Sequence, residues 1–455
     1  MKKEEYILGE AKVGIALLDL ALPSIIGLII MTLYNVVDTI FVGHVVGSLG
    51  IAGVSVSLPI TNLITTVDLS LGVGAASIIS RKFGAHQLEA ARLAFGNLLF
   101  MLAVVTFFSL VLGYFLATPI VKLFGAHGSI IPYTLKYYLI VLFGTPFLGF
   151  ALMGNNTARA EGNPMAGMVS MIISTLLNVA LDALFILQWN MGLEGAAYAT
   201  VLSQMAFASS LVYYFGSNRS ILSLRLKYWK PKWTIVRESI FLGSSNFGRQ
   251  GTASLLAAII NHSLVIYGGE PAVAIYGIIF RIMLLALTPI LGLVQGFLPL
   301  AGYSFGAKNF ERLKIVLQES TIIGTGMSLI CFLGVILFSN QIVRLFTSDP
   351  ILIEEASQAL RIYGISLPLI GFQQIGVGYF QAIGKGGPAL FLSLARQLIF
   401  VIPFMLILPP FFGINGIYSS FPLADTLAFT VTAIMISPHW KRLKHSEELK
   451  IKSEE

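Results

Sequence analysis

The sequence predicts an all-α membrane protein: twelve transmembrane helices in two six-helix lobes, related as a parallel pseudo-twofold repeat. Three observations carry this prediction. The chain of 455 residues is 56% hydrophobic and 11% charged, against about 25% charged residues in soluble domains. Apolar runs recur along it, each close to the roughly 20 residues that a helix needs to cross a bilayer. Local motifs return at a constant spacing of 222 residues.

The runs lie near residues 15–41, 51–80, 92–117, 131–153, 165–188, 195–216, 239–267, 272–303, 316–338, 357–381, 389–411 and 416–437. Pro23 falls early in the first. Inside a helix, proline removes a backbone hydrogen bond and bends the axis. The longest polar connection, residues 217–238, carries Arg219, Arg225, Lys227, Lys230, Lys232 and Arg237. It separates six runs from six. The expected organisation is an N-terminal lobe over 1–218, a cytoplasmic linker over 219–238, and a C-terminal lobe with a cytoplasmic tail over 239–455.

Charge orients the chain. The termini and the loops after even-numbered spans hold 22 Lys and Arg; the loops after odd-numbered spans, with their flanks, hold four, Lys122, Lys136, Arg344 and Arg361. Cytoplasmic loops are the basic ones, so both termini are expected in the cytoplasm and the protein in the cell (inner) membrane. The net charge of +7 is loop charge of this kind and does not point to nucleic acid.

The repeat is read from matched residues. Phe83-Gly84-Ala85 matches Phe305-Gly306-Ala307, Glu89 matches Glu311, and Pro146 matches Pro368. Gly149-Phe150 matches Gly371-Phe372, and Leu123-Phe124 matches Leu345-Phe346. Constant phase over a long stretch marks an internal duplication. Six spans per half is an even number, so both halves enter the membrane in the same sense. Substrate sites in such folds lie between the halves, near mid-membrane.

Several chemistries are excluded or disfavoured. The single cysteine, Cys331, lies within an apolar run and forbids an internal disulfide. The six histidines do not cluster with metal-ligand spacing. The stretch Gly384-Lys385-Gly386-Gly387 lacks the spacing of a phosphate loop and its following Ser or Thr. No catalytic constellation is visible, so an enzyme is not expected. The charged stretch Met1 to Lys12 does not read as a cleaved signal peptide.

The polar residues inside the spans are the informative ones. Asn178 and Asp182 stand at i, i+4, on one helical face. A carboxylate at membrane depth needs a partner, water or a proton. With Asp38 in the first span and Thr200 one turn into the sixth, they form the expected cation- or proton-binding set. Two nearby carboxylates cannot both ionise cheaply, so they would titrate as a unit. Asp19 and Glu238 fall near the cytoplasmic boundary and read as solvated. Asp68 is a further acid without an assigned role. Arg249, Arg281 and Arg396 lie inside spans and need a cavity or a partner; Asp425 suits Arg281 or Arg396. The substrate-cavity candidates are Met31, Tyr34, Gln250, Arg281, Gln295 and Arg396.

Several stretches together resemble the multidrug and toxic compound extrusion (MATE) family, in its MepA-like branch. They are Leu22-Pro23, Tyr34-Asn35-Val36-Val37-Asp38-Thr39-Ile40-Phe41-Val42-Gly43, Asn178 to Asp182, and Gly195-Ala196-Ala197-Tyr198-Ala199-Thr200. In the second half they are Gln295-Gly296-Phe297, Gly302 to Lys308 and Phe421-Pro422-Leu423-Ala424-Asp425. The resemblance covers nearly the whole chain. It implies two six-helix lobes around a central cavity, and export of amphipathic organic cations in exchange for protons or sodium ions. It implies that Asp38, Asn178, Asp182 and Thr200 are the first-lobe cation site, and sodium would sit at Asp38, Asn178 and Asp182. Arg281 and Arg396 look typical of this branch. Ser245 stands where a repeat of Pro23 would fall, so no matching bend is expected in the seventh span.

The expected function is therefore a secondary active antiporter that needs no cofactor and works as a monomer in the lipid bilayer, on small amphipathic drugs. The alternative is a lipid or glycolipid flippase acting on an anionic headgroup, which the intramembrane arginines suit.

Overall fold

The computed structural model describes residues 3–45, 47–217 and 219–454, and side chains for 4–32, 53–217 and 219–443. Among the described residues every regular element is helical. The twelve expected spans are all found. We number them α1 (Val13–Val45), α2 (Gly47–Gly84), α3 (Leu88–Phe115), α4 (Ile130–Ala160), α5 (Pro164–Gln188), α6 (Gly192–Gly216), α7 (233–268), α8 (270–306), α9 (Phe310–Arg344), α10 (Pro350–Gly364 continued by Leu367–Ala382), α11 (Gly386–Phe412) and α12 (Ile414–Glu454).

Helices α7 and α8 run on without a loop. Their combined 74 residues would extend roughly 110 Å as one straight helix, far more than a bilayer is thick. The turn between them is at Gly269, whose φ of 68° is the only non-helical torsion in the run. Ser245 stays helical, as expected without a proline, and its hydroxyl accepts from Gln381 Nε2 at 2.6 Å. Helix α1 carries Pro23 within one continuous helix.

Local chemistry explains the starts and stops. Asn163 accepts from Ala166 N, with Pro164 at the first helical position of α5. Asn309 accepts from Arg312 N at the start of α9, and Asp349 caps α10 ahead of Pro350. Side-chain caps of this type satisfy amides that the helix cannot.

The duplication is written into the backbone. His86 (φ 56°) and Lys308 (φ 55°) are left-handed residues 222 apart, and so are Gly162 (φ 95°) and Gly384 (φ 80°). Both pairs follow a helix end, where a left-handed residue turns the chain. The matched prolines diverge. Pro146 lies inside an unbroken α4, whereas Pro368 opens the second segment of α10, after a break at residues 365 and 366.

The chain forms two compact units, residues 26–243 and residues 1–25 with 244–455. These edges differ from the boundaries read from the linker, 1–218 and 239–455. The start of the chain packs with the second unit. Arg312 donates to the carbonyls of Ile7, Leu8 and Ala11, and Gly296 lies against the backbone of Ala21. The linker belongs to the first unit. Asn97 accepts from Lys232 N at 2.6 Å and Arg81 pairs with Glu238 at 2.8 Å. Glu161, after α4, gathers the start of the linker. Its carboxylate accepts from Tyr214 Oη (2.5 Å), Ser220 Oγ (2.9 Å), Ile221 N (3.0 Å) and Leu222 N (3.3 Å).

Candidate functional site

The first unit encloses a cavity of about 240 Å³, walled by α1, α2, α4, α5 and α6. Met31, Met171, Tyr137 and Phe207 supply its apolar part; Asn62, Thr65, Ser174, Asn178, Thr200 and Gln204 supply its polar part. The polar part presents hydroxyl oxygens and side-chain amides. Thr65 donates to Asn62 O, Thr200 to Ala196 O, Ser203 to Thr200 O, and Ser174 to Ser203 O. These four hydroxyl hydrogens are thus taken by backbone carbonyls, and the oxygen lone pairs remain for whatever occupies the space. Among the described residues Gln204 Oε1 and both Asn178 Oδ1 and Nδ2 are buried with no hydrogen-bond partner. Oxygens and amides beside thioethers and aromatic rings suit an amphipathic small molecule.

Of the expected ion site, Asn178 and Thr200 face this one cavity. Asp182 lies one turn beyond Asn178 on α5 and is fully buried. It stands where α5 loosens into the π-helical segment Ala183–Gln188. Such segments shift the hydrogen-bond frame and recur at functional sites. Asp38 and Tyr34 have side chains outside the described residues. Met31 lines the cavity as expected.

In the second unit the acid is neutralised. Arg396 Nε donates to Asp425 Oδ1 at 2.5 Å and Nη2 to Oδ2 at 3.4 Å. Ser366 Oγ donates to Oδ2 at 2.7 Å, and Gln373 Nε2 to the Asp425 carbonyl at 2.5 Å. Arg396 itself lies in a second π-helical segment, Ala395–Val401. Of the two arginines open as partners of Asp425, the structure pairs Arg396. Arg281 is exposed and makes no ion pair or hydrogen bond among the described residues, and Gln250 is also exposed. Gln295 is half-buried. Arg249 donates to Asn246 Oδ1 at 2.9 Å and feels the charge of Arg396.

The sequence reading missed Asn62, Thr65, Ser174 and Gln204. Their signal was present as hydroxyl and amide residues at helical spacing within apolar runs. It also passed over Glu161, which looks like an ordinary loop acid. Burial pushes its carboxyl up to about 7, against the pull of the hydroxyls and amides that donate to it.

Comparison with known proteins settles the family. The MatE family model matches residues 23–184 and 252–407, one stretch in each repeat. The chain belongs to the MatE family. Among curated relatives this MatE protein is 27% identical over 438 residues to the multidrug export protein MepA of Staphylococcus aureus strain MRSA252, with 96% of each chain covered. Among solved structures it resembles a MATE crystal structure in a bent conformation, with TM-score 0.92 and 26% identity, covering 98% of this chain and 99% of that one. It also resembles a MATE crystal structure in a straight conformation, with TM-score 0.92 and 26% identity, covering 98% and 100%. The all-α, twelve-helix, two-lobe fold expected from the sequence is the MATE fold.

Proposed function

We propose that this multi-pass MatE membrane protein is a secondary active antiporter. It exports amphipathic organic cations in exchange for protons or sodium ions, by alternating access between its two lobes. One observation carries the reading: the first unit holds a cavity lined by hydroxyl oxygens and amides, with Asn178 and Thr200 in its wall and Asp182 a turn away. The relatives named as multidrug exporters support efflux as the direction of transport. The bent and straight forms of similar structures support a transport cycle with more than one conformation; Pro23 makes α1 the helix in which to look for the change.

In this cycle the outward-open protein takes up its coupling ion near Asp38 and Asp182. Neutralising these acids weakens the hold on the cationic substrate, which leaves. Return to the inward-open state releases the ion, and substrate binds again. Moving one charge across 100 mV is worth about 2.3 kcal/mol. The basic loops support a cytoplasmic location for both termini.

Reconstitution in liposomes tests the site. Asp38→Asn and Asp182→Asn are expected to abolish ion-driven export of an ethidium-like cation while the protein stays folded; undiminished export in both refutes it. Separately imposed proton and sodium gradients identify the ion. The second reading, a flippase for an anionic lipid headgroup, draws on Arg249, a cation in the second unit that pairs with no carboxylate among the described residues. Preference for anionic lipid over an organic cation would decide for it.

A further inference from the structure

Asp68 is an acid that the antiport site does not use. It lies at the middle of α2, one turn from the cavity residue Thr65, and only 2% of its surface is exposed. Among the described residues its Oδ1 is buried with no hydrogen-bond partner. Its carboxyl lies against Gly149 of α4, and Leu102 of α3 approaches the same glycine. Gly149 makes room for it, since a Cβ at that position would sit 2.6 Å from Asp68 Oδ2. The flanking residues Thr145, Leu148 and Leu152 of α4 form part of the cavity wall. Asp68 therefore stands behind that wall, at the contact of α2 with α4.

An ionised carboxylate without a partner in such a place is expensive. Two things relieve the cost: a bound metal cation or a proton. A hard cation takes several oxygen ligands. Among the described residues no hydroxyl, amide or second carboxylate donates to or shares Asp68 Oδ1. We propose that Asp68 is a second proton carrier of the first unit, separate from the Asn178–Asp182 site, holding a proton while α2 and α4 are packed together. Losing that proton requires water, and a parting of α2 and α4 beside Gly149 would open Asp68 to water from the cavity. Proton release is thereby tied to the opening of this wall. The proposal deepens the antiport reading, rests on it for the link to export, and names the proton as the species at this second position.

Infrared spectroscopy of the purified protein reads the carboxyl directly, without transport. At neutral pH the wild type is expected to show the C=O stretch of a protonated carboxyl in an apolar setting. With Glu161→Gln as the background, which removes the other buried carboxyl that takes a proton near neutral pH, that band persists in Asp182→Asn and disappears in Asp68→Asn, which is nearly the same size and is checked for folding by its melting temperature. Gly149→Ala, which crowds the carboxyl, is expected to shift the band. A band that is absent in the wild type, or unchanged in Asp68→Asn, overturns the proposal. In liposomes, Asp68→Asn is expected to export an ethidium-like cation with fewer protons moved per substrate than wild type; an unchanged ratio also overturns it. If the wild type exports no cation while the band behaves as expected, the antiport reading fails and the proton site stands.

Discussion

Asp425 in the second unit and Asp68 in the first are both acids within membrane helices, and both are buried to 2% exposure or less. Asp425 has a guanidinium and a serine hydroxyl on its carboxylate. Asp68 lies against Gly149, and its Oδ1 is unfilled among the described residues. The contrast extends along the repeat. Each unit has a π-helical segment in its fifth span, with Asp182 just before it in α5 and Arg396 inside it in α11. The two are not repeat mates, since at the 222-residue offset Asp182 matches Phe404 and Arg396 matches Ser174; an acid precedes the segment in one copy and a base lies within it in the other. A buried charge whose opposite is supplied in the fold holds helices together, whereas one without it must take its neutralising partner from outside. In the proposal above, that difference is what leaves the Asp68 carboxyl to a proton.

Removing half of the second unit's pair strikes the comparison hardest. Arg396→Ala strands Asp425 as an uncompensated buried charge and is expected to destabilise the protein by about 3–5 kcal/mol, read as a large fall in melting temperature in detergent. Changing both partners, Arg396→Met with Asp425→Leu, is expected to recover most of it. A small effect of the single change would show that the pair does not brace the unit.

A matched change in the first unit is expected to act the other way. Asp68→Val replaces an unpartnered acid by an apolar side chain of similar size. The melting temperature should hold or rise, by up to about 1–3 kcal/mol in stability. A marked loss of stability would mean that Asp68 is structural, like Asp425.

Glu161 sharpens the comparison at the cytoplasmic edge, since it is an acid held by hydroxyls and amides rather than by a counter-charge. Its folded value, about 7, lies above the ordinary 4.5. The folded state therefore binds the proton more tightly than the unfolded chain. The stability linked to this group is complete below about pH 4.5 and is lost as the pH rises to about 7, a drop of at most about 3 kcal/mol. Melting curves across that window should flatten in Glu161→Gln. An equal slope in the variant assigns the pH dependence elsewhere.

The smallest expected effect on stability is at Asn178, whose amide has no partner among the described residues. Asn178→Ala is expected to stay within about 1 kcal/mol of wild type while binding of an ethidium-like cation weakens. Unchanged binding would remove Asn178 from the site.

Much of this was legible in the residues. All twelve spans were placed by apolar run length, because the bilayer demands a continuous apolar helix of fixed length and leaves little to context. The duplication was visible at 222 residues and reappears as the left-handed pairs His86 with Lys308 and Gly162 with Gly384. Asn178 was readable because helical spacing alone puts it on the face shared with Asp182. The choice between Arg281 and Arg396 was not readable, since both lie in apolar runs of the second half. It depends on which way each helix turns its side chains, and that is set by packing. Glu161 was hidden for the same reason: its burial comes from Tyr214 and Ser220, more than 50 residues away.

The amino-acid order on its own determined the number of membrane crossings, the repeat and the polar residues available for chemistry. These follow from hydrophobic length and local spacing, which act over a few helical turns. Tertiary structure alone decided which acids are neutralised. Asp425 meets Arg396 and Ser366, while Asp68 lies against Gly149 with its Oδ1 unpartnered among the described residues. A buried charge is judged by atoms within a few ångströms, and most of those come from other helices.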